Sequence, residues 1–425
     1  MKDEEQKRQR VLRSGIFLAL FTALICLLQG VAMKNCFVHA KSAVMQDNFP
    51  GQIDSLNSEK NPDTENSSKN EKDSFGSQTP GGNHHEQEFE TVWEYLFGEN
   101  APELTKEQGS YCVLIRKNGG NLVKVKEEQI YRTISVELET ENEVTVDSVV
   151  RVCKNVYYVG EPTPEQIIIP EDKKNVPLVR EPKTEVEDTV RDIQITQNNG
   201  KSTILMELNS VYEAKLSEDE EFIYLTLYRP FELYDKIIVL DAGHGGYDPG
   251  TSGGGVTEAS VNLKVIRYLK ELMDTREDIK VYYTRLDNSL PDLSARVEFA
   301  NALHADFLLS VHCNYNDYTS IHGVDVMYSK LQVVDENFSS RILAEKCLYT
   351  VSREMGMTRR YLEERSSNLH LMKYCTMPCA LVEIGFMSNP GDLEMLKTEK
   401  TQRACARALY KVIDECYRNR EEKNE

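Results

Sequence analysis

The N-terminal part of the chain places a long uncharged segment behind a basic one. Residues 14–33 form a run of 20 uncharged residues rich in Leu, Phe, Ile and Ala, and residues 1–13 carry five Lys and Arg side chains. A helix of about 20 apolar residues spans a hydrocarbon core of about 30 Å, and a basic flank stays in the cytoplasm. The pattern predicts a cytoplasmic tail over 1–13 and a transmembrane signal anchor over 14–33. The alternative is a signal peptide cleaved at Val38-His39-Ala40, which would release the protein.

Polar residues dominate the next segment, from 34 to 87. Between Ser55 and Ser77 the chain has almost no large apolar side chain. Such a segment cannot bury enough surface to offset the entropy lost on ordering, so we predict a disordered linker over 34–87. Apolar residues spaced i, i+3, i+4, i+7 then predict a short helix over 89–96.

Alternation of apolar and polar residues with period two marks most of the region 88–231. It predicts strands at 112–115, 122–125, 134–138, 167–169, 193–196, 203–208 and 222–227. Asn199-Gly200 lies between two of these runs and is a strong signal for a β-hairpin. The charged stretch from Glu171 to Asp188 was a candidate for dividing the region into two smaller parts. We interpret 88–231 as a β-rich accessory region, with wall targeting as one role consistent with its position.

Candidate chemistry begins after residue 232 and falls at the ends of apolar runs. The run 236–240 leads into a polar loop that carries His244, the run 307–311 leads into His312, and the run 379–382 leads into Glu383. Functional groups gather at the carboxyl ends of strands in open α/β sheets. Glu258 instead opens an amphipathic helix that Thr257 can cap.

These four side chains fit the needs of catalytic zinc. Two imidazoles and one carboxylate, from His244, His312 and Glu258, leave a fourth position open, and Glu383 remains as a base to activate water. Each residue taken alone would favour a structural interpretation. A His at the end of a strand usually only forms hydrogen bonds, and an acidic residue at the start of a helix usually serves to interact with the helix dipole. Four other histidines do not stand at the end of an apolar run, and we predict that they are structural: His39, His304, His322 and His370.

Charge and cysteine content exclude two classes of protein. The 50 Lys and Arg residues against 69 Asp and Glu give a net charge of −19, which repels nucleic acid. The ten cysteines are scattered through apolar runs without the spacing of a disulfide scaffold. We therefore expect no nucleic-acid partner and no disulfide framework, with Cys375 and Cys379 as reduced core thiols.

Several separated motifs resemble one family of enzymes, the zinc-dependent N-acetylmuramoyl-L-alanine amidases, over roughly 236–417. The matching segments are Val239-Leu240-Asp241-Ala242-Gly243-His244-Gly245-Gly246, Glu258 with Asn262-Leu263, Ser310-Val311-His312-Cys313-Asn314, and Val382-Glu383-Ile384-Gly385-Phe386-Met387-Ser388-Asn389-Pro390. The resemblance implies that His244, Glu258 and His312 bind one Zn²⁺ per catalytic domain and that Glu383 is catalytic. Arg296 falls where such enzymes commonly have Arg, and we expect it, with Asn314, to support the site. One departure, Leu371-Met372-Lys373 where Val-Leu-Arg is frequent, puts a substrate contact in doubt.

The resemblance also implies a fold and a reaction. The fold is an α/β catalytic domain over 232–420, a mixed twisted sheet flanked by helices, with strands near 236, 280, 307, 324 and 380 and helices near 259, 293, 336 and 401, and with a tail over 421–425. The reaction is hydrolysis of the amide between N-acetylmuramic acid and L-alanine in peptidoglycan. The predicted anchor over 14–33, and not the resemblance, would place this reaction at the outer face of the cell membrane. The alternatives are a zinc peptidase acting on the stem peptide and a silent or partner-regulated wall-binding protein.

Overall fold

The computed structural model describes residues 104–154, 156–160, 162, 167–170, 188–336 and 338–421. The predicted tail, anchor and linker over 1–87 and the predicted helix over 89–96 lie outside these ranges. Within the ranges, none of the helices has the length and apolar character that crossing a bilayer requires. The domain boundaries proposed from the sequence stay predictions.

The first part of the described chain is built from strands. It contains one short α-helix, α1 (Lys106–Ser110), and two 3-10 turns (Gln129–Tyr131 and Val146–Ser148). Its ten strands are β1 (Tyr111–Arg116), β2 (Asn121–Glu128), β3 (Thr133–Glu139), β4 (Val149–Cys153), β5 (Val156–Val159), β6 (Ile167–Pro170), β7 (Val190–Asn198), β8 (Lys201–Leu208), β9 (Glu213–Glu218) and β10 (Phe222–Tyr228). The strands expected from the period-two pattern are confirmed, while β4, β5 and β9 were not predicted. Asn199 and Gly200 join β7 to β8 with φ of 49° and 75°, the left-handed pair that a type I′ turn requires.

These strands form two antiparallel sheets. One has the order β6-β5-β4-β1-β10-β9 and the other the order β2-β3-β8-β7. Apolar side chains of both sheets pack into one cluster that includes Val113, Val136, Ile204 and Leu225. Because β1 pairs with β10 and β3 pairs with β8, strands before and after the stretch 171–188 share the same sheets. The stretch therefore does not divide the region, contrary to the expectation.

The second part alternates strands and helices. Its elements are α2 (Pro230–Leu233), β11 (Ile237–Ala242), β12 (Ser252–Gly253), β13 (Val256–Thr257), α3 (Glu258–Met273), β14 (Lys280–Tyr283), α4 (Leu293–Ala302), β15 (Phe307–Asn314), β16 (Val324–Tyr328), β17 (Val333–Asp335), β18 (Phe338–Ser339), α5 (Ser340–Met355), β19 (Arg359–Glu364), α6 (His370–Tyr374), β20 (Cys379–Phe386), α7 (Pro390–Leu396) and α8 (Glu399–Glu421). All predicted strands and helices of this part are present. The elements that were not predicted are strand β19, the short strands β12, β13, β17 and β18, and the short helices α2, α6 and α7.

Six of these strands make a mixed sheet in the order β14-β11-β15-β20-β16-β19. Only β16 against β20 is antiparallel; the other neighbours are parallel. Helices α3, α5 and α8 pack on one face through a large apolar cluster, and α4 and α6 pack on the other. The α/β prediction of a mixed sheet flanked by helices is confirmed. The parallel arrangement brings the carboxyl ends of β11, β15 and β20 to one edge.

The cysteines of the described chain are all buried, and none of them is disulfide-bonded. They include Cys375 and Cys379, whose expected place in the core is confirmed, and Cys347, Cys405 and Cys416 in the cluster between the sheet and α3, α5 and α8. The thiol of Cys379 lies 3.5 Å from the sulfur of Met372. These side chains serve packing.

Candidate active site

The structure brings the four predicted residues together at the carboxyl edge of the mixed sheet. His244 follows β11, and His312 on β15 is paired in register with Glu383 on β20. Glu258 is the first residue of α3. Its Oε1 lies 3.1 Å from His244 Nε2 and 2.9 Å from His312 Nδ1. One donor atom from each of these three residues lies within 4.8 Å of the others.

Local sequence explains why Glu258 points into the site. Thr257 caps α3, accepting a hydrogen bond from the Ser260 backbone N–H, so the helix begins abruptly at Glu258. The side chain is 3% exposed. Its Oε1 accepts a hydrogen bond from the Cys313 N–H at 3.0 Å, and its Oε2 accepts one from the Thr251 N–H at 2.9 Å. The carboxylate is thus fixed by strand β15 and by the loop after β11, with its charge facing both imidazoles.

The loop after β11 holds His244 in an unusual backbone conformation. Its φ is 61°, a region that non-glycine residues seldom adopt and that is commonly found at functional sites. Gly250, with φ of 61°, allows the loop to return against the site, because a Cβ there would lie 2.5 Å from Glu258 Oε2. The strained backbone at His244 therefore occurs at the residue whose ring nitrogen joins the cluster of donor atoms.

Negative charge around His244 favours a cation. Hydrogen bonding to Glu258 and to Asp248, whose Oδ2 lies 2.7 Å from Nδ1, raises the pKa of His244 to about 9 against the cost of burial. Burial opposes ionisation of Glu258, but hydrogen bonds to His244 and His312 hold its pKa well below the usual value. The negative charge of the Glu258 and Asp248 carboxylates, which holds a proton on His244, would also stabilise a metal ion at the same position. Metal binding displaces such protons from the ligand atoms.

Glu383 occupies a different environment from Glu258. Burial raises the pKa of its carboxyl to about 7, with the carboxylates of Glu258 and Asp325 adding to the effect. Its Oε2 is buried and has no hydrogen-bond partner among the described residues. Two carboxyl groups in one site therefore differ in proton affinity, as expected where one is a ligand and the other exchanges protons.

Arg296 lies buried beside the loop that carries His244. It is 3% exposed, forms a buried ion pair with Asp241, and donates hydrogen bonds to the carbonyls of Ala242 and His244 at 2.8 and 3.0 Å. A second buried arginine, Arg285, donates to the same loop, including the Ala242 carbonyl at 2.8 Å. Both guanidinium groups fix the path of the chain that presents His244.

Asn314, the other expected support residue, lies two residues beyond His312 at the end of β15. Its Nδ2 is 3.4 Å from Asp325 Oδ2, and its carbonyl accepts a hydrogen bond from the Met387 N–H. Asn314 therefore contacts the strands beside the site and is not one of the three clustered donors.

A cavity of about 490 Å³ opens beside His244 and His312. Its wall is largely apolar and includes residues before and within α4 and α6, with Tyr247 at 93% exposure. His370, which we expected to be structural, lies in this wall. His304 stacks on Phe231 and His322 contacts the Ser320 carbonyl, in agreement with structural roles; His39 lies outside the described residues.

Sequence analysis missed several residues that complete the site. Asp248 carried a usable signal, since it lies four residues after His244 in the same loop, and a carboxylate behind a ligating imidazole is the usual support for a metal. Arg285 and Asp325 carried none, because each reaches the site only through the order of the strands.

The donor set fits a zinc ion. Imidazole nitrogen and carboxylate oxygen are zinc ligands, and three protein ligands leave one coordination position for catalysis. His244 has a carboxylate partner on its other ring nitrogen, and Glu258 is desolvated and fixed. These features of the residues agree with a catalytic metal centre.

Comparison with known proteins identifies similar chains. A model of the N-acetylmuramoyl-L-alanine amidase family matches residues 238–415. The uncharacterized protein YqiI of Bacillus subtilis (strain 168) is 31% identical over 182 residues, which cover 43% of this chain and 85% of that protein. The germination-specific N-acetylmuramoyl-L-alanine amidase of the same organism is 29% identical over 194 residues, covering 43% of this chain and 79% of that protein.

Among solved structures, the catalytic domain of CwlV, an N-acetylmuramoyl-L-alanine amidase from Bacillus (Paenibacillus) polymyxa var. colistinus, is 27% identical. The match covers 43% of this chain and 98% of that one, with a TM-score of 0.39. The residues matched by the family model lie in the second part of the chain and include the four clustered residues.

Proposed function

The chain belongs to the N-acetylmuramoyl-L-alanine amidase family, and from this premise we propose that it uses zinc to hydrolyse the amide between N-acetylmuramic acid and L-alanine in peptidoglycan. His244, Glu258 and His312 would hold the metal. The observation that carries the proposal is the convergence of these three donors with the buried carboxyl of Glu383 at one sheet edge.

The chemistry divides between the metal and the protein. When bound, zinc would act as a Lewis acid that polarises the scissile carbonyl and acidifies the attacking water. Glu383 would accept the proton of that water and deliver it to the leaving nitrogen of L-alanine. A carboxyl with a pKa of about 7 is suited to both transfers, since it gains and loses a proton near neutral pH.

The fixed groups around the cluster would keep it organised through the reaction. Asp248 orients the His244 ring and sets which ring nitrogen faces the ligand cluster. Arg296 and Asp241 hold the loop that carries His244. These residues would position the reacting groups without contacting the scissile bond.

The test uses the purified chain, wild type and Glu383→Gln, incubated with peptidoglycan with zinc and with a chelator. We expect mass spectrometry to detect free stem peptides that begin at L-alanine, lost on chelation and at least 100-fold slower in the variant. Glu298→Gln, on the exposed side of α4, is the matched control and should keep activity. Cleavage within the stem peptide would indicate a zinc peptidase, and no cleavage by a folded, zinc-loaded chain would indicate a silent or partner-regulated protein.

We further propose that the predicted anchor over 14–33 holds the enzyme at the outer face of the cell membrane, and that the linker over 34–87 lets it reach the wall. The second part of this proposal is based on the polar composition of residues 34–87, which predicts a segment that does not fold on its own. Membrane fractionation tests the anchor: the full chain should sediment with membranes and be digested by protease added outside the cell. Recovery of the chain in the medium, starting after Ala40, would favour the cleaved signal peptide.

A further inference from the structure

The row of functional side chains continues past Glu383 onto the strand beyond it. His312, Glu383 and Asp325 are direct neighbours in register on β15, β20 and β16. Side chains that face each other in register lie on the same face of a sheet. Asp325 is 2% exposed, so a buried carboxylate flanks Glu383 on the side away from the ligand cluster.

Asp325 is held by two groups on the neighbouring strand β19. Its Oδ1 accepts hydrogen bonds from the Tyr361 N–H at 3.0 Å and from Arg360 Nε at 3.2 Å, both on β19. The register between β16 and β19 shifts between Val324 and Val326, opposite these two residues. A bulge of this kind re-aims side chains and is common next to active sites. Here it directs the Arg360 side chain across β16.

The Arg360 guanidinium is anchored at one end only. Its Cζ lies 5.0 Å from the ring centroid of Phe386, three residues after Glu383, and 4.9 Å from that of Tyr361. The side chain is 20% exposed. Its hydrogen bonds to the described residues all come from Nε, which leaves Nη1 and Nη2 without a hydrogen-bond partner among those residues.

We propose that Arg360 binds a carboxylate of the substrate's peptide, on the leaving-group side of the scissile amide; this rests on the proposed amidase function. A planar guanidinium with two parallel donors matches a carboxylate in a bidentate pair. Asp325 and the Phe386 ring fix the orientation of the Arg360 guanidinium before substrate binds, which lowers the entropy cost of binding. The site would therefore select stem peptides that carry a free carboxylate near L-alanine.

The reach of the side chain agrees with this assignment. Glu383 lies on β20 and Arg360 on β19, with β16 between them, so these two strands are separated by two inter-strand distances of about 4.8 Å each. The Arg360 side chain extends back across β16 and places its guanidinium over the Phe386 ring of β20. An extended peptide advances about 3.4 Å per residue, so the carboxylate of the residue after L-alanine lies roughly 7 Å from the scissile nitrogen. The second residue of the stem peptide is thus the one whose carboxylate we place at Arg360.

The experiment compares two substrates that differ only in one charge: N-acetylmuramoyl-L-alanyl-D-alanine and its C-terminal carboxamide. We expect wild type to prefer the carboxylate about tenfold or more through KM. Arg360→Gln should lose that preference with little change in kcat and little change on the carboxamide, and Arg360→Lys should keep part of it. Arg359→Gln is the matched control, because the neighbouring guanidinium lies over Tyr349 instead.

Binding is also measured without turnover, by calorimetry in the Glu383→Gln background with and without Arg360→Gln. A preference for the carboxylate that disappears with Arg360 supports the assignment even if wild type proves inactive, which would overturn only the proposed function. Equal affinity for the two compounds in the Glu383→Gln background, or an equal loss on both in Arg360→Gln, overturns it. The second result would show that Arg360 only neutralises Asp325.

Discussion

Replacing Asp241 by Asn tests whether the buried charges beneath the site hold the domain together. Asp241 is the penultimate residue of β11, is 1% exposed and forms an ion pair with Arg296. Its carboxylate also accepts hydrogen bonds from the hydroxyls of Thr284 and Ser310. Asn keeps the shape of the side chain but removes the charge opposite the guanidinium. It also supplies only one acceptor oxygen for the two hydroxyls.

The size of the effect follows from the burial of the pair. Burial alone would raise the pKa of Asp241, but Arg296 and the hydroxyl donors lower it from 3.8 to about 2. At 1.36 kcal/mol per unit, the carboxylate contributes about 2 kcal/mol to stability, present above pH 3.8 and lost as the pH falls through 2. Breaking a buried pair by removing one charge costs about 3–5 kcal/mol, since the other charge stays buried without a counter-ion.

Urea unfolding of the metal-free protein at pH 7 and near pH 2 measures both quantities. Asp241→Asn should lose about 3–5 kcal/mol at pH 7, and the gap from wild type should narrow by about 2 kcal/mol near pH 2, where about half of the folded wild-type carboxyl is protonated. Glu298→Gln is the control, because its pair with Arg132 is exposed and worth under about 1 kcal/mol. A variant within about 1 kcal/mol of wild type at pH 7, or a gap that does not change with pH, would refute the reasoning.

Three further predictions concern the metal cluster and the contact between the two parts of the chain. Asp248→Asn should weaken zinc binding about 10- to 100-fold, because it removes the charge behind His244; competition with a chromophoric chelator measures this, and an unchanged affinity would contradict it. Gly250→Ala should reduce zinc binding much more than Gly255→Ala, since a Cβ at the first lies 2.5 Å from a ligand oxygen while the second has open space around it. Equal losses of zinc affinity in the two variants would show that the effect comes only from the positive φ that both glycines adopt. Glu213→Ala should cost about 1–3 kcal/mol in urea unfolding, because Glu213 Oε1 accepts the hydrogen bond of the Tyr282 hydroxyl across the two parts; a cost near zero would mean that solvent replaces this contact.

Sequence reasoning located the four clustered residues because the pattern of a parallel strand is local. A continuous apolar run that stops at a polar residue marks both the strand and its carboxyl end, as before His312 and Glu383. Helix capping supplied the same kind of local signal for Glu258. Asp325 and Arg360 gave no such signal, because their proximity to Glu383 depends on which strands are neighbours and on a bulge between them.

The missed strands have physical reasons of their own. Strand β4 is buried along its whole length, yet it contains Arg151, whose charge is compensated inside the protein by Asp188 at 2.9 Å. A charge in a core position breaks the pattern that predicts a strand. Strand β9 is an edge strand rich in charged residues, a composition that protects a sheet edge and resembles a loop.

Contacts between the two parts of the chain change how the accessory region should be treated. Val211, between β8 and β9, has no exposed surface and packs in the same apolar cluster as Ile237 and Tyr282 of the second part. Ile130 packs against that cluster as well. A fragment starting near residue 236 would expose these partners to water, at about 25 cal/mol for each Å² uncovered. The catalytic part should therefore be less stable when cut from the strands before it, and its activity is best measured on the whole chain.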